Sequence, residues 1–274
     1  MPELPEVEVS RRGLLPHLPG LPLLAARMPV LKLRHPLPHA LSEQLEQTLI
    51  GRTLLRIERR AKYLLFDFGH GWLIIHLGMT GSLCLLPLDR PVGKHDHADF
   101  DFAGIRLRYS DPRRFGALAW HAGPDVENHP LLARLGLEPL GEQFDGAWLY
   151  QASRKRRTPI KQFLMDGNLL VGVGNIYASE SLFHAAISPL TPAGELTLPR
   201  CLLLVEAVRN TLAAAIEAGG STIRDFIHTE GKGYFQLQCT VYGRKGEPCR
   251  RCGGSIVQIR QGGRSTFYCP DCQR

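Results

Sequence analysis

A proline in second place with a glutamate directly after it has the most chemical reach of any pair in this chain, which opens Met1-Pro2-Glu3-Leu4-Pro5-Glu6. Removal of the initiator methionine leaves Pro2 with a secondary amine as the first group. Such an amine attacks an aldehyde or acetal carbon and forms an iminium, whose fixed positive charge draws electrons from the neighbouring bonds. An α-amino group titrates near about 7.7 to 8.0, so it needs little help to be neutral at working pH. Glu3 is the first carboxylate within reach to move a proton. Val7 to Leu15 read as a short helix with Pro5 in its first turn, and the positive end of a helix further disfavours a cation beside it. Taken alone, the same six residues also read as nothing more than a capped surface helix.

The second group with evident chemistry is at the other end. Of seven cysteines, Cys84, Cys201 and Cys239 are scattered, whereas Cys249, Cys252, Cys269 and Cys272 form two C-x-x-C pairs. That spacing matches four thiolates closing a tetrahedral Zn²⁺ site, and closed four-ligand sites are structural. Gly253-Gly254-Ser255 and Gly262-Gly263 supply turns, and Ser255 to Arg260 and Ser265 to Tyr268 read as two short strands. The expectation is a zinc ribbon holding one structural Zn²⁺ per chain.

Both groups need a scaffold. Tyr63 to Phe68 and Trp72 to Leu77 flank a Gly69-His70-Gly71 turn, and Ala98 to Phe102 and Ile105 to Tyr109 flank Ala103-Gly104. Each is hairpin material, so the first ~120 residues are expected to be mainly a β-sandwich with flanking helices. After about Pro139 the apolar period becomes helical. The clearest helix runs from Leu196 to Ala218, with Thr197-Leu198-Pro199 at its start and Gly219-Gly220 at its end. Between these regions lie the basic run Arg154-Lys155-Arg156-Arg157 and the glycine turn Val171-Gly172-Val173-Gly174-Asn175-Ile176. A backbone freed of side chains there can bring N–H groups onto a phosphate, with Asn175 as a further donor. A solvated basic face and an ordinary interhelical turn explain the same residues equally well.

At 274 residues with 44% hydrophobic side chains, the chain can fill two cores and a small third module. The net charge of +7 favours a polyanionic partner, most often nucleic acid. No stretch approaches the ~18 to 20 apolar residues of a membrane span, and the acidic, proline-rich start lacks the features of a signal peptide. A cytosolic protein is the default expectation.

Eight segments, taken in order, resemble one family. They are Met1-Pro2-Glu3-Leu4-Pro5-Glu6-Val7-Glu8, Arg59-Arg60-Ala61-Lys62-Tyr63-Leu64-Leu65, His76-Leu77-Gly78-Met79-Thr80-Gly81-Ser82-Leu83 and Lys94-His95-Asp96-His97. The others are Tyr109-Ser110-Asp111-Pro112-Arg113-Arg114-Phe115-Gly116, Gly172 to Glu180, Val241 to Cys249 and Thr266-Phe267-Tyr268-Cys269. Together they resemble the formamidopyrimidine-DNA glycosylases, bacterial base-excision enzymes that remove oxidised purines, from end to end of the chain.

The resemblance implies an α+β multidomain chain with an N-terminal β-sandwich over 1–135, a helix-two-turn-helix domain over 136–235 and a zinc finger over 240–274, with DNA clamped between the halves. It implies that Pro2 attacks the anomeric carbon, Glu3 is the acid and proton shuttle, Lys62 serves β-elimination and Arg264 serves δ-elimination. A guanidinium stays protonated, so Arg264 is read as a phosphate clamp as much as a proton donor. Contacts to the DNA backbone fall on His95, Arg113, Arg156 and Asn175. Met79, Arg113 and Phe115 are the residues that fill the gap left by an extruded nucleotide, a task suited to apolar wedges and an arginine. Without the family, Met79 and Phe115 read as core, and Lys62 and Arg264 carry no role. The loop from Ser221 to Tyr234 matches the segment that closes over the everted base, and it lacks a proline that some relatives carry. The expected partner is duplex DNA with oxidised purines or abasic sites, met by a monomer without an organic cofactor.

Two other functions compete. A sister family removes oxidised pyrimidines with the same terminal proline, and the Leu4-Pro5-Glu6 start with the Met79, Arg113, Phe115 trio favours the purine enzymes. A non-catalytic DNA-damage binder would keep the clamp without the lyase, against which stand Pro2, Glu3 and Lys62. A zinc-ribbon RNA-associated protein would leave the N-terminus without purpose.

Overall fold

The computed structural model describes residues 2–28, 33, 46–219 and 239–274. The Ser221 to Tyr234 loop lies outside the described residues. The chain divides into two compact units, Met1–Ala133 with Ile216–Phe235 and Arg134–Ala215 with Gln236–Arg274.

The first unit is built from helix α1 (Leu4–Leu14) and eight strands: β1 (Leu23–Arg27), β2 (Arg56–Arg60), β3 (Tyr63–Asp67), β4 (Gly71–His76), β5 (Ser82–Leu86), β6 (Asp96–Phe102), β7 (Ile105–Ser110) and β8 (Ala117–Ala122). They form two four-stranded antiparallel sheets in the orders β1-β6-β7-β5 and β2-β3-β4-β8. Both hairpins expected from the alternation are present, as β3–β4 and β6–β7. Phe66, Leu73 and Ile75 from one sheet and Leu83, Phe100 and Leu107 from the other lie in a single buried cluster, so the sheets close on one core as a sandwich. Strand β4 is buried on both faces along Gly71 to Ile75, which is why its sequence is continuously apolar rather than alternating. Helix α1 packs on β2 and β3 through a face that includes Leu4, Val7 and Leu14.

The second unit contains the helices α2 (Gly146–Ser153), α3 (Ile160–Leu164) and α4 (Asn175–His184), most of α5 (Leu198–Gly219), and the hairpin β9 (Val257–Gln261) and β10 (Arg264–Tyr268). Asp145 caps α2 by accepting from the Trp148 N–H at 2.7 Å. The hairpin turns on Gly262 and Gly263, both at positive φ (53° and 78°), the backbone that a two-residue turn of this hand requires. Phe183 of α4 shares one buried cluster with Val241, Cys249, Ile256, Phe267 and Cys269, so the cysteine module uses a helix as part of its core. No helix among the described residues is long and apolar enough to cross a membrane.

Candidate functional site

Helix α1 begins at Leu4, with Pro5 in its first turn, because Glu3 is its N-cap. The Glu3 carboxylate accepts from the Glu6 N–H, and the Glu6 carboxylate accepts from the Glu3 N–H at 2.7 Å. Glu3 is 2% exposed, so its carboxylate is held in one place immediately beside half-buried Pro2. Pro2 and a positioned carboxylate therefore sit together at the positive end of a helix.

Lys62 stands on the two-residue turn that joins β2 to β3, where Arg60 pairs with Tyr63. The other turn residue, Ala61, has a φ of 54°, in the left-handed region that favours glycine. Arg59 braces this turn: its Nη1 donates to the Ala61 carbonyl at 3.0 Å, and its Nε donates to Glu8 Oε2 at 3.1 Å. Glu8 also accepts from Arg11 and Arg12. Burial acts to raise the Glu8 pKa, but hydrogen bonds and attraction from Arg11, Arg59 and Arg12 outweigh it and hold the carboxyl below its ordinary value. The helix that begins beside Pro2 and the turn that carries Lys62 are thus tied by a partly buried charge cluster.

Met79 and Phe115 are 37% and 40% exposed, against the core packing that their types suggest. The Arg113 guanidinium lies 4.6 Å from the Phe115 ring centroid, and Arg113 is itself exposed. His95 is exposed, and its carbonyl accepts the Asp111 N–H at 2.9 Å. Asp111, fully buried, makes further bonds to the loops that carry Met79 and Phe115.

In the second unit, the basic run is not uniform. Arg154 stacks on Tyr150 at 4.0 Å and donates to the Leu196 carbonyl, while Lys155, Arg156 and Arg157 are exposed. Asn175 opens α4, but its side chain faces protein: Oδ1 accepts from Lys161 Nζ at 2.6 Å and Nδ2 donates to the Ser265 carbonyl at 2.9 Å. Lys161, 1% exposed, also donates to Thr266 Oγ1 at 2.6 Å and to the Ser265 carbonyl at 3.2 Å. Arg264 is exposed at the start of β10, next to the clasped Ser265. The turn bearing Arg264 and the start of α4 are therefore held together by one buried lysine. Pro2, Glu3 and Lys62 belong to the first unit and Arg264 to the second.

The four paired cysteines converge, with all sulfurs within 4.8 Å of one another. A tetrahedral zinc with bonds of about 2.3 Å needs sulfurs about 3.8 Å apart. Cys249 and Cys272 stand 3.9 Å apart and Cys252 and Cys269 3.5 Å apart, so the donor set fits the ion in chemistry and size. Four protein thiolates leave no open position, and the zinc is structural.

Three family models cover nearly the whole chain: the formamidopyrimidine-DNA glycosylase N-terminal domain over residues 1–118, the H2TH domain of the same enzymes over 135–227, and the zinc finger found in FPG and IleRS over 246–274. A formamidopyrimidine-DNA glycosylase of Janthinobacterium sp. (strain Marseille) is 56% identical over 277 residues, covering 100% of both chains. The chain belongs to the formamidopyrimidine-DNA glycosylase family. Among solved structures, Lactococcus lactis Fpg in complex with abasic-site DNA matches with a TM-score of 0.88 at 36% identity over 99% of each chain. The same enzyme with Fapy-dG-containing DNA gives a TM-score of 0.88 at 36% identity, over 99% of this chain and 100% of the other. Enzymes of this family are glycosylases with an accompanying abasic-site lyase activity, and the zinc-finger match agrees with the four-sulfur cluster.

Several residues that build this arrangement carry no signal of their own in the sequence. Asp111, Arg59 and Lys161 find partners 31, 51 and 105 residues away. Glu180 accepts the N–H groups of Thr240, Val241 and Tyr242 at 2.7 to 2.9 Å and so pins the approach to the finger onto α4. Glu180 closes one of the segments that carry the family resemblance, but nothing in the sequence shows what it holds.

Proposed function

We propose that this chain excises oxidised purines, 8-oxoguanine and formamidopyrimidines, from duplex DNA and then cuts the strand by β,δ-elimination. The observation that carries the reading is Pro2 beside the N-capping carboxylate of Glu3 at the start of α1. With Met1 removed, the Pro2 amine attacks the sugar C1′, the C1′–N bond breaks, and Glu3 moves the proton that lets the base depart. The Pro2 nitrogen loses its proton, the C1′–O4′ bond opens as O4′ takes one up, and the resulting iminium acidifies C2′. Loss of the C2′ proton expels the 3′ phosphate with Lys62 as the proton donor, and the 5′ phosphate follows with Arg264 as its clamp. Base release is a substitution at C1′ and both phosphate losses are eliminations, so the strand is cut without hydrolysis.

His95, Arg113 and Arg156 are exposed and suit backbone phosphate contacts. Asn175 serves there through the start of α4, because its side-chain amide is engaged with Lys161 and Ser265. Met79, Arg113 and Phe115 fill the gap left by the extruded nucleotide, and their exposure supports that reading. The enzyme acts as a monomer on DNA in the bacterial cytosol, with one structural zinc and no organic cofactor.

The test is a borohydride trap on a duplex with one 8-oxoguanine opposite cytosine. A covalent adduct whose DNA-linked peptide begins at Pro2 is expected. Tight binding with an exposed Pro2 and no adduct would leave a non-catalytic damage binder as the better reading.

A further inference from the structure

We propose that Asp111 is the positioning residue of the gap-filling apparatus, joining the Met79 loop and the Arg113–Phe115 loop into one body through its two carboxylate oxygens. The proposal rests on the assignment of Met79, Arg113 and Phe115 to the gap, and adds the group that sets them relative to one another.

Asp111 is 0% exposed and accepts on both sides. Oδ1 accepts from Thr80 Oγ1 at 2.6 Å and from the Arg113 N–H at 3.2 Å. Oδ2 accepts from the Gly116 N–H at 2.9 Å and from the Tyr109 hydroxyl at 3.3 Å. Burial, with the Asp111 carboxylate beside it, pushes the Tyr109 phenol well above its ordinary range, which keeps that hydroxyl a donor. The Asp111 backbone completes the joint: its carbonyl accepts from the Arg114 N–H at 3.2 Å. Arg114 has a φ of 59°, a conformation that costs a non-glycine residue energy and has to be held by its surroundings.

The two loops also touch directly. A Cβ added at Gly78, just before Met79, would collide with the backbone of Phe115 and Gly116. A Cβ at Gly116 would fall on the Tyr109 hydroxyl and the His76 carbonyl. Such close packing leaves one relative placement, and Thr80, adjacent to Met79, is locked to it by the short bond to Asp111. Extrusion of a paired base asks the wedge side chains to enter the stack together, whereas an abasic site has no base to extrude.

Asparagine at this position cannot reproduce the joint. It offers one oxygen and one NH2, and whichever way the amide turns, the NH2 faces the backbone N–H of Arg113 or of Gly116. Thr80→Val removes both bonds of the Thr80 hydroxyl to the facing loop, its donation to Asp111 Oδ1 and its acceptance of the Arg113 N–H at 3.3 Å, and Thr80→Ser restores them.

The test compares single-turnover excision of 8-oxoguanine opposite cytosine with incision of a preformed abasic site in the same duplex. Asp111→Asn should slow excision about 100-fold and Thr80→Val about tenfold, with abasic-site incision within about twofold of the parent and Thr80→Ser near the parent on both. Phe115→Ala and Met79→Ala supply the reference for losing the wedge itself. If those two show the selective loss but Asp111→Asn and Thr80→Val do not, or lose both activities equally, the role of Asp111 is overturned while the gap-filling assignment stands. If Phe115→Ala and Met79→Ala show no selective loss, the gap-filling assignment falls and the proposal falls with it. Thr80→Val keeps the test decisive should Asp111→Asn fail to fold.

Discussion

Arg59 of β2 and Glu8 of α1 are joined at 3.1 Å, with 12% and 10% of their side chains exposed, and the same guanidinium reaches the Ala61 carbonyl beside Lys62. One cation thereby sets the distance between the helix that starts at the proposed nucleophile and the turn that carries the proposed elimination residue. Arg59→Met should lower unfolding free energy by about 2 kcal/mol in urea titrations, since charged hydrogen bonds of this kind contribute about 1.5 to 3. Abasic-site incision should fall more than DNA affinity does. Arg12→Ala, which touches the same carboxylate from a more exposed position, should cost under about 1 kcal/mol. Equal effects of the two changes would remove the special standing of Arg59.

Glu8 also links stability to pH. Its folded pKa lies below the ordinary value of 4.5, so the unfolded chain binds the proton more readily. The contribution to stability is complete above that ordinary value and is lost as pH falls through the folded pKa. Glu8→Gln should flatten the acid side of a stability–pH curve below about pH 4.5 and leave its slope near pH 7 unchanged. A wild-type slope below that pH in the variant would assign the acid sensitivity to other carboxylates.

Glu180 holds three consecutive backbone donors at residues 240–242. Glu180→Gln retains one acceptor oxygen and puts an NH2 against another donor, so amide exchange at 240–242 should quicken by about 10- to 100-fold. Unchanged protection there would show that the shared cluster around Phe183 suffices to seat this segment.

The zinc prediction is direct. Fresh protein should carry one Zn²⁺ per chain, and chelation under mild denaturant should release it together with loss of the β9–β10 hairpin signals. A metal content near zero in fully folded protein would contradict the structural role.

Arg156 is exposed within the basic run, and as a phosphate contact it should act without regard to sequence. Arg156→Ala should weaken binding to every duplex and reduce the salt slope by about one unit. An unchanged slope would place Arg156 on a face that does not meet DNA.

Local chemistry made much of this molecule readable from the chain alone. Alternation and glycine turns announced β3–β4 and β6–β7, and the C-x-x-C spacing announced a metal whose sulfurs do converge, because each signal lies within a few residues of itself. Pro2 and Glu3 stood out because their chemistry is intrinsic to their place in the chain. Pro5 does lie in the first turn of α1, as expected, and a capping box between Glu3 and Glu6 sets the start at Leu4. Met79 and Phe115 were ambiguous between core and wedge, as hydrophobicity says nothing of which side of a loop faces out. Arg59, Asp111 and Glu180 fall within segments that carry the family resemblance, but what they and Lys161 hold depended on tertiary structure. Their work is done across 31 to 105 residues of separation, and only folding removes the water that would otherwise make such bonds weak and interchangeable.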